Sequence, residues 1–229
     1  MLTGAGISAE SGLGTFRDRG GLWQQFDPMK LARPEAFARD PQTVHAFYNA
    51  RRWNLLEAHP NAAHAALARL EVNLAARGGD LVLVTQNIDD LHERAGSRRV
   101  LHMHGELLQA RCVACHVVTA WRTDLDVLDG CPACGQPGRL RPHVVWFGEM
   151  PLHMEAIEAA LAGSDLFVAI GTSGSVYPAA GFVAEARARG MRTCELNLDP
   201  SENAHLFDVR RYGPATTIVP AWVNEMLAS

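Results

Sequence analysis

The chain has 229 residues, of which 48% are hydrophobic and 20% charged, and 21 Lys and Arg set against 25 Asp and Glu leave a formal net charge of −4. These values exclude a disordered chain and fit one large folded unit, with or without a small insert. No basic stripe offers a footprint for nucleic acid, no run reaches the ~18 apolar residues of a membrane helix, and the N-terminus lacks a signal-peptide pattern.

Met1-Leu2-Thr3 form an apolar start that is short for a strand of the usual ~5–6 residues. Gly4-Ala5-Gly6-Ile7-Ser8-Ala9 follows and fits G-x-G-x-x-G/A. Glycines there permit a tight turn and let backbone N–H groups approach a pyrophosphate. An ordinary Gly-rich turn fits this short motif too, and the acidic residue expected ~20 positions on has no clear counterpart. Residues 25–59 are rich in helix formers and include a predicted helix from Thr43 to Ala58. Asn61 is a predicted N-cap for the next helix, and Gly78 its stop.

Leu81 to Thr85 reads as a strand buried on both faces. Gln86, Asn87 and Asp89 follow it, where an open α/β sheet places ligand contacts; by pattern alone, a cap for the helix through Leu91 is the commoner explanation of Asn87 or Asp89. In Leu101-His102-Met103-His104-Gly105 the two histidines alternate and share one face of an extended segment. Either could act as a general base. Cys112, Cys115, Cys131 and Cys134 are separated by gaps of two, fifteen and two residues. That is a zinc-ribbon spacing, and four thiolates close a tetrahedral shell, so the expected zinc is structural. The fifth, Cys194, lies in an apolar run and reads as a small core residue. Cysteines used this way point to a cytoplasmic protein.

Further on, Met154–Leu161 and Ala179–Ala188 read as helices, the second ending near Gly190. Leu166–Gly171 and Thr193–Leu198 read as buried strands, with Thr217-Ile218-Val219 a weaker fourth. Strands alternating with helices imply a Rossmann-type parallel sheet covered on both sides. The expected large domain comprises residues 1–24, 60–105 and 141–229. A smaller inserted lobe combines a helical module, 25–59, with the zinc ribbon, 106–140.

The run from Gly4 through Glu10-Ser11-Gly12, Thr15-Phe16-Arg17-Asp18 and Gly21-Leu22-Trp23 resembles the cofactor loop of sirtuins. The resemblance recurs in order at Gln86-Asn87-Ile88-Asp89, His104-Gly105, the four cysteines, Phe147-Gly148-Glu149, Gly171-Thr172-Ser173 and Asn197-Leu198-Asp199. It covers nearly the whole chain. Leu140 to Pro151 looks like the bacterial CobB-type members in particular. One departure is Leu13-Gly14, where the family usually has isoleucine-proline; glycine should loosen the loop.

The resemblance implies an NAD-dependent protein-lysine deacylase acting on acyl-lysine proteins or peptides, with NAD consumed as co-substrate. NAD would be held by Gly4, Ala5, Gly6, Ser8, Ala9, Thr15, Phe16, Arg17, Trp23, the Gln86–Asp89 run, the Gly171–Ser173 and Asn197–Asp199 loops, and Ala215. Asn87 would order ribose and water, Asp89 the nicotinamide carboxamide. His104, directly before glycine, would be the base that takes a proton from a ribose hydroxyl. The products would be nicotinamide, free lysine and O-acyl-ADP-ribose. Tyr48 and Arg51 stand three apart on the Thr43–Ala58 helix and share a face. In class III sirtuins a Tyr-x-x-Arg reads the distal carboxylate of succinyl-, malonyl- or glutaryl-lysine. Val144 to Glu149 resembles the strand that pairs with the substrate backbone, with Val145, Trp146, Phe147, Gly148 and Glu149 as its contacts. A plain deacetylase, a mono-ADP-ribosyltransferase and a non-catalytic NAD-binding module are the alternatives. A monomer is the default expectation.

Overall fold

The computed structural model describes residues 1–14 and 28–228. A six-stranded, all-parallel sheet forms the body of the protein. Its strands are β1 (Leu2–Thr3), β2 (Leu83–Thr85), β3 (Val100–His102), β7 (Leu166–Ile170), β8 (Arg192–Asn197) and β9 (Val209–Tyr212), in the order β3-β2-β1-β7-β8-β9. This is the doubly wound order, with its reversal between β1 and β7. The short β1 pairs on both sides, Leu2 with Val84 and Ala169, Thr3 with Thr85 and Ile170.

The buried strands alternate, and each parity feeds a different core. Leu83, Val168, Ile170, Cys194 and Leu196 pack on one face beneath the helices Ala62–Ala76 (α5) and Ala215–Ala228 (α9). Val84, Phe167 and Ala169 pack on the other, beneath Met154–Ala162 (α7) and Phe182–Ala188 (α8). Fully burying a Leu or Ile side chain stabilises by about 1.5–3 kcal/mol, so both faces contribute.

A second sheet, antiparallel, has the order β5-β4-β6: Val118–Ala120, Gly105–Cys112 and Leu140–Val144. Leu125 packs at its edge with Cys112 and Cys131. Three helices precede α5 in the segment from residue 28: Pro28–Leu31 (α2), Pro34–Arg39 (α3) and Pro41–Glu57 (α4). Asp40 caps α4, accepting from the Thr43 N–H at 3.0 Å, and Asn61 caps α5, accepting from Ala63 N–H at 2.9 Å.

Three expectations are corrected. Thr217-Ile218-Val219 is not a strand but the first turns of α9. Its β-branched residues favour strand, yet Val219 is buried against α5 and the sheet, and that packing decides. The edge strand is instead Val209–Tyr212, a run too polar to read as a buried strand. The extended segment expected across Leu101–Gly105 is broken: β3 ends at His102, the chain turns at Met103–His104, and β4 begins at Gly105 with φ +80°. The strand expected across Val144–Glu149 ends at Val144, and the rest is a turn.

Candidate active site

The carboxyl ends of β1 and β7 define the switch point of the large sheet. The cofactor-type loop leaves β1 at Gly4, and Gly171 ends β7 beside it. The Gly4 N–H donates to Ile170 O at 3.0 Å, and the Gly6 N–H to Gly171 O at 2.9 Å. A Cβ on Gly6 would lie 2.7 Å from Gly171 Cα, and one on Gly171 2.5 Å from Ile7 N. Gly171 also has φ +63°. Only glycine lets the two loops touch, and the contact forms a cradle that a side chain would fill.

The cradle is braced from three directions. Asn61 donates from Nδ2 to Ile7 O at 2.8 Å and Ser11 Oγ at 2.9 Å. The Glu10 carboxylate accepts from Thr216 N–H at 2.9 Å and Thr216 Oγ1 at 2.7 Å. That fastens the loop to the first turn of α9, beside Ala215. Asn197 donates from Nδ2 to Thr172 O at 2.7 Å, tying the loops after β7 and β8 together. Leu198 is 63% exposed there, an apolar surface suited to a flat ring. Ser173 is hydrogen-bonded to Ser175 at 2.7 Å, and Asp199 is exposed. Thr15, Phe16, Arg17 and Trp23 lie outside the described residues.

Gln86 to Asp89 leave β2 toward the same cradle. Asn87 donates from Nδ2 to Gly4 O at 3.2 Å and to Ser8 Oγ at 3.1 Å. Ser8 passes its own proton to Asp89 Oδ2 at 3.0 Å. The other Asp89 oxygen accepts the Leu91 N–H at 3.2 Å. Asp89 thus satisfies the first N–H of the short helix Leu91–Arg94 (α6), whose N-cap residue is Asp90, while its Oδ2 holds Ser8 on the cradle side. Burial raises its pKa, opposed by the Leu91 N–H, the Ser8 hydroxyl and the His102 charge. Behind Ser8 lies a group that sequence reasoning passed over. His64 accepts the Asn61 N–H on Nδ1 at 3.2 Å, so Nε2 bears the proton and points at Ser8 Oγ, 3.4 Å away. Its position three residues after the N-cap reads as helix capping, and nothing in the sequence brings it to residue 8.

The two histidines of the β3–β4 connection have opposite protonation. His102 donates from Nε2 to Glu93 Oε1 at 2.6 Å and from Nδ1 to Asn87 O at 3.3 Å. Two acceptors require both protons. Burial alone would lower its pKa, but the Glu93 hydrogen bond and charge outweigh it and the net shift is upward. His104 donates from Nδ1 to Gln86 O at 3.0 Å, which leaves Nε2 as the acceptor. Burial lowers its pKa, partly offset by that same bond, and keeps the ring neutral near pH 7. Of the two, it is His104 that has the state a general base needs. Gly105 is required next to it, because a Cβ there would strike the His143 carbonyl in the partner strand β6.

Tyr48 and Arg51 face a second set of partners. Tyr48 is buried, and its hydroxyl accepts the Trp146 indole N–H at 2.9 Å. The Arg51 guanidinium sits 5.6 Å from the Phe47 ring centroid and 5.9 Å from that of Tyr48. Burial lowers its pKa, and Tyr48 and Asp89 oppose the shift; an arginine stays charged regardless. The turn from Val145 is pinned by Glu149, whose carboxylate takes Arg141 Nη1 at 2.6 Å, Arg141 Nη2 at 3.0 Å and the Trp146 N–H at 2.8 Å. The Val145 N–H donates to His104 O at 2.8 Å, and the Phe147 N–H to Ala32 O at 3.0 Å. Glu149 is thus engaged within the turn, while Gly148 supplies its positive φ of +92°.

The four cysteines converge. All four sulfurs lie within 4.8 Å of one another, with Cys112 to Cys134 at 3.8 Å and Cys115 to Cys131 at 3.6 Å. Thiolates at ~2.3 Å from a tetrahedral zinc stand about 3.8 Å apart, so the donor set fits a closed structural zinc site. Cys194 is buried in β8, away from this group, and burial pushes its thiol up to about 11.

A doubly wound sheet with a glycine cradle at its switch point, a neutral histidine beside it and a four-cysteine ribbon defines the class: the chain belongs to the Sir2 family, whose model matches residues 4–178. Among individual proteins, an NAD-dependent protein deacylase of Caulobacter vibrioides is 62% identical over 228 residues, spanning 100% of this chain and 96% of that one. A solved complex of a Sir2 homologue with NAD has a TM-score of 0.86 and 39% identity, covering 99% of this chain and 89% of that one. A Sir2 protein bound to acetylated peptide has a TM-score of 0.82 and 26% identity, covering 100% and 92%.

Proposed function

We propose that this chain is an NAD-dependent protein-lysine deacylase that removes acidic acyl groups such as succinyl, and acetyl as well. The observation that carries the reading is His104: its Nδ1 is committed to Gln86 O, which leaves Nε2 as an acceptor, and Gln86 is itself tied by its N–H to Thr3 O at the start of the cradle loop. NAD would supply an electrophilic ribose carbon and a nicotinamide leaving group. Gly4, Ala5, Gly6, Ser8 and Ala9 would line the pyrophosphate, Gly171–Ser173, Asn197–Asp199 and Ala215 the adenosine half. Thr15, Phe16, Arg17 and Trp23 belong to the same reading through their motif.

Ser8 directs its proton at Asp89, which holds that carboxylate as an acceptor suited to a carboxamide N–H. Asn87, held by Gly4 O and Ser8, would order a ribose hydroxyl or a water. His104 Nε2 accepts the proton of a hydroxyl, and its lowered pKa keeps it able to do so. Tyr48 uses an oxygen lone pair on Trp146 and keeps its O–H as a donor for the distal carboxylate, whose charge Arg51 would balance. Residues 145–149 would pair with an extended peptide through backbone groups other than the N–H groups of Val145, Trp146, Phe147 and Glu149, which are bonded within the protein. The zinc ribbon and the helices from residue 28 form the smaller lobe in this reading, with substrate and NAD meeting between it and the large sheet. A monomer in the cytoplasm completes it, the location supported by four thiols gathered at metal spacing.

The test is a mass-spectrometric assay of one peptide carrying succinyl-lysine or acetyl-lysine, with and without NAD, using wild type and Arg51→Met. NAD-dependent removal of both groups, with only desuccinylation lost in the variant, is the expected result. Deacetylation alone would discard the acidic preference. NAD binding without removal of either group would reduce the protein to a binding module.

A further inference from the structure

We propose that Asn49 is a positioning residue for acyl selectivity, clasping the helix that carries Tyr48 and Arg51 to the zinc ribbon. The inference rests on the reading of Tyr48 and Arg51 as the carboxylate reader. Asn49 lies between them in sequence, in the middle of α4, where asparagine is a poor helix former. Its amide is used fully. Nδ2 donates to Leu125 O at 3.1 Å, and Oδ1 accepts the Leu125 N–H at 2.9 Å. The side chain thus pairs with both backbone groups of one residue, as a neighbouring strand would.

Leu125 belongs to the loop between β5 and Cys131. It is 1% exposed and shares one small buried cluster with Cys112 and Cys131, so the residue that holds Asn49 by its backbone belongs to the core of the four-cysteine ribbon. The clasp is reinforced on both sides. Arg52, buried, donates from Nη1 to Asn49 Oδ1 at 2.6 Å and from Nε to Leu107 O at 3.3 Å. One residue on, Trp53 donates its indole N–H to Asp124 Oδ1 at 2.8 Å. Contacts from Asn49, Arg52 and Trp53 therefore tie one stretch of α4 to the 124–125 corner and to β4.

A carboxylate reader works only at hydrogen-bond range, whereas a short acetyl group makes no demand on Tyr48 or Arg51. Releasing the clasp lets this part of α4 shift against the turn at Trp146 without touching His104 or the cradle. Selectivity should suffer before general turnover does. Leaving Leu125 N–H and O unpaired also costs stability, so the readout has to be a ratio.

The experiment compares kcat/KM for succinyl- and acetyl-lysine on one peptide in wild type, Asn49→Ala, Arg51→Met and the pair Trp53→Phe with Asp124→Asn, recording zinc content and thermal midpoint for each. Asn49→Ala should lower desuccinylation roughly tenfold or more, the scale of a small misplacement, while deacetylation falls less than about threefold and zinc is retained. Equal loss of both activities would mean a merely structural residue and overturn the proposal. So would unchanged selectivity in Asn49→Ala when Arg51→Met loses desuccinylation. If Arg51→Met keeps desuccinylation, the carboxylate-reader reading itself fails and the proposal falls with it. Should Asn49→Ala not fold, the exposed Trp53→Phe/Asp124→Asn pair decides: a selective loss of desuccinylation upholds the clasp, and an equal change or none refutes it.

Discussion

The Trp146 indole donates to the Tyr48 hydroxyl across 2.9 Å, joining the turn that follows β6 to the middle of α4. Burial raises the Tyr48 pKa, so the phenol stays protonated and remains a donor. Tyr48→Phe should therefore lower kcat/KM for succinyl-lysine by about 10- to 100-fold, the worth of a hydrogen bond to a charged group, with the acetyl reaction nearly unchanged. Trp146→Phe should act in the same direction but less strongly. Steady-state kinetics on the two peptides checks both, and a matched loss on acetyl-lysine would contradict the carboxylate role.

His104→Ala should keep NAD binding and lose turnover; calorimetry and a product assay separate the two. The pH profile is a sharper test. Burial lowers the His104 pKa, so the base form persists below the ordinary ~6.5 and the acid limb of the rate profile should lie beneath that value. An acid limb above it would point to a different base.

Acid should also unfold the protein through His64. Burial draws its pKa down to about 4, so below ~6.5 the unfolded chain binds a proton that the folded one refuses. Stability is therefore intact above ~6.5 and is lost as pH falls toward 4, by about 3 kcal/mol from this group. Denaturant midpoints at pH 7 and 4.5 should show the loss, and His64→Gln should flatten the slope. His102 works the other way, since its raised pKa favours folding at lower pH.

Gly171→Ala should damage the cradle more than an ordinary surface change. Its Cβ would sit 2.5 Å from Ile7 N at a φ of +63°, so the loops must separate. Strain of this kind costs about 1–3 kcal/mol. A lower thermal midpoint together with weakened NAD affinity is the expected pair of results.

Removing zinc should unfold the ribbon. Cys112→Ser, or a strong chelator, should lower zinc content and thermal midpoint together, because metal binding and folding are one equilibrium in such sites. A metal-free variant with wild-type activity and stability would refute the structural role.

Periodicity and spacing made part of this legible. The buried strands at Leu83, Leu166 and Arg192, the caps at Asn61 and the cysteine gaps follow from local chemistry, and the folded chain has them within a few residues. Thr217–Val219 misled because β-branching is a local preference, whereas Val219 answers to a helix packed across the sheet. His102 and His104 were indistinguishable for a related reason. Their protonation is decided by Glu93 and Gln86 O, and neither partner can be read from an alternating pattern. His64 and Asn49 look like helix residues in sequence; their partners lie 56 and 76 positions away.

Glu10 and Thr216 meet across 206 positions of sequence. On the ribosome the glycine loop is made some 206 positions before the helix that braces it. Until that helix docks, the loop lacks one of its walls, so nascent or C-terminally clipped chains should hold dinucleotide poorly even with every motif residue present. Competence to bind would thus report that this distant helix has been made and has docked.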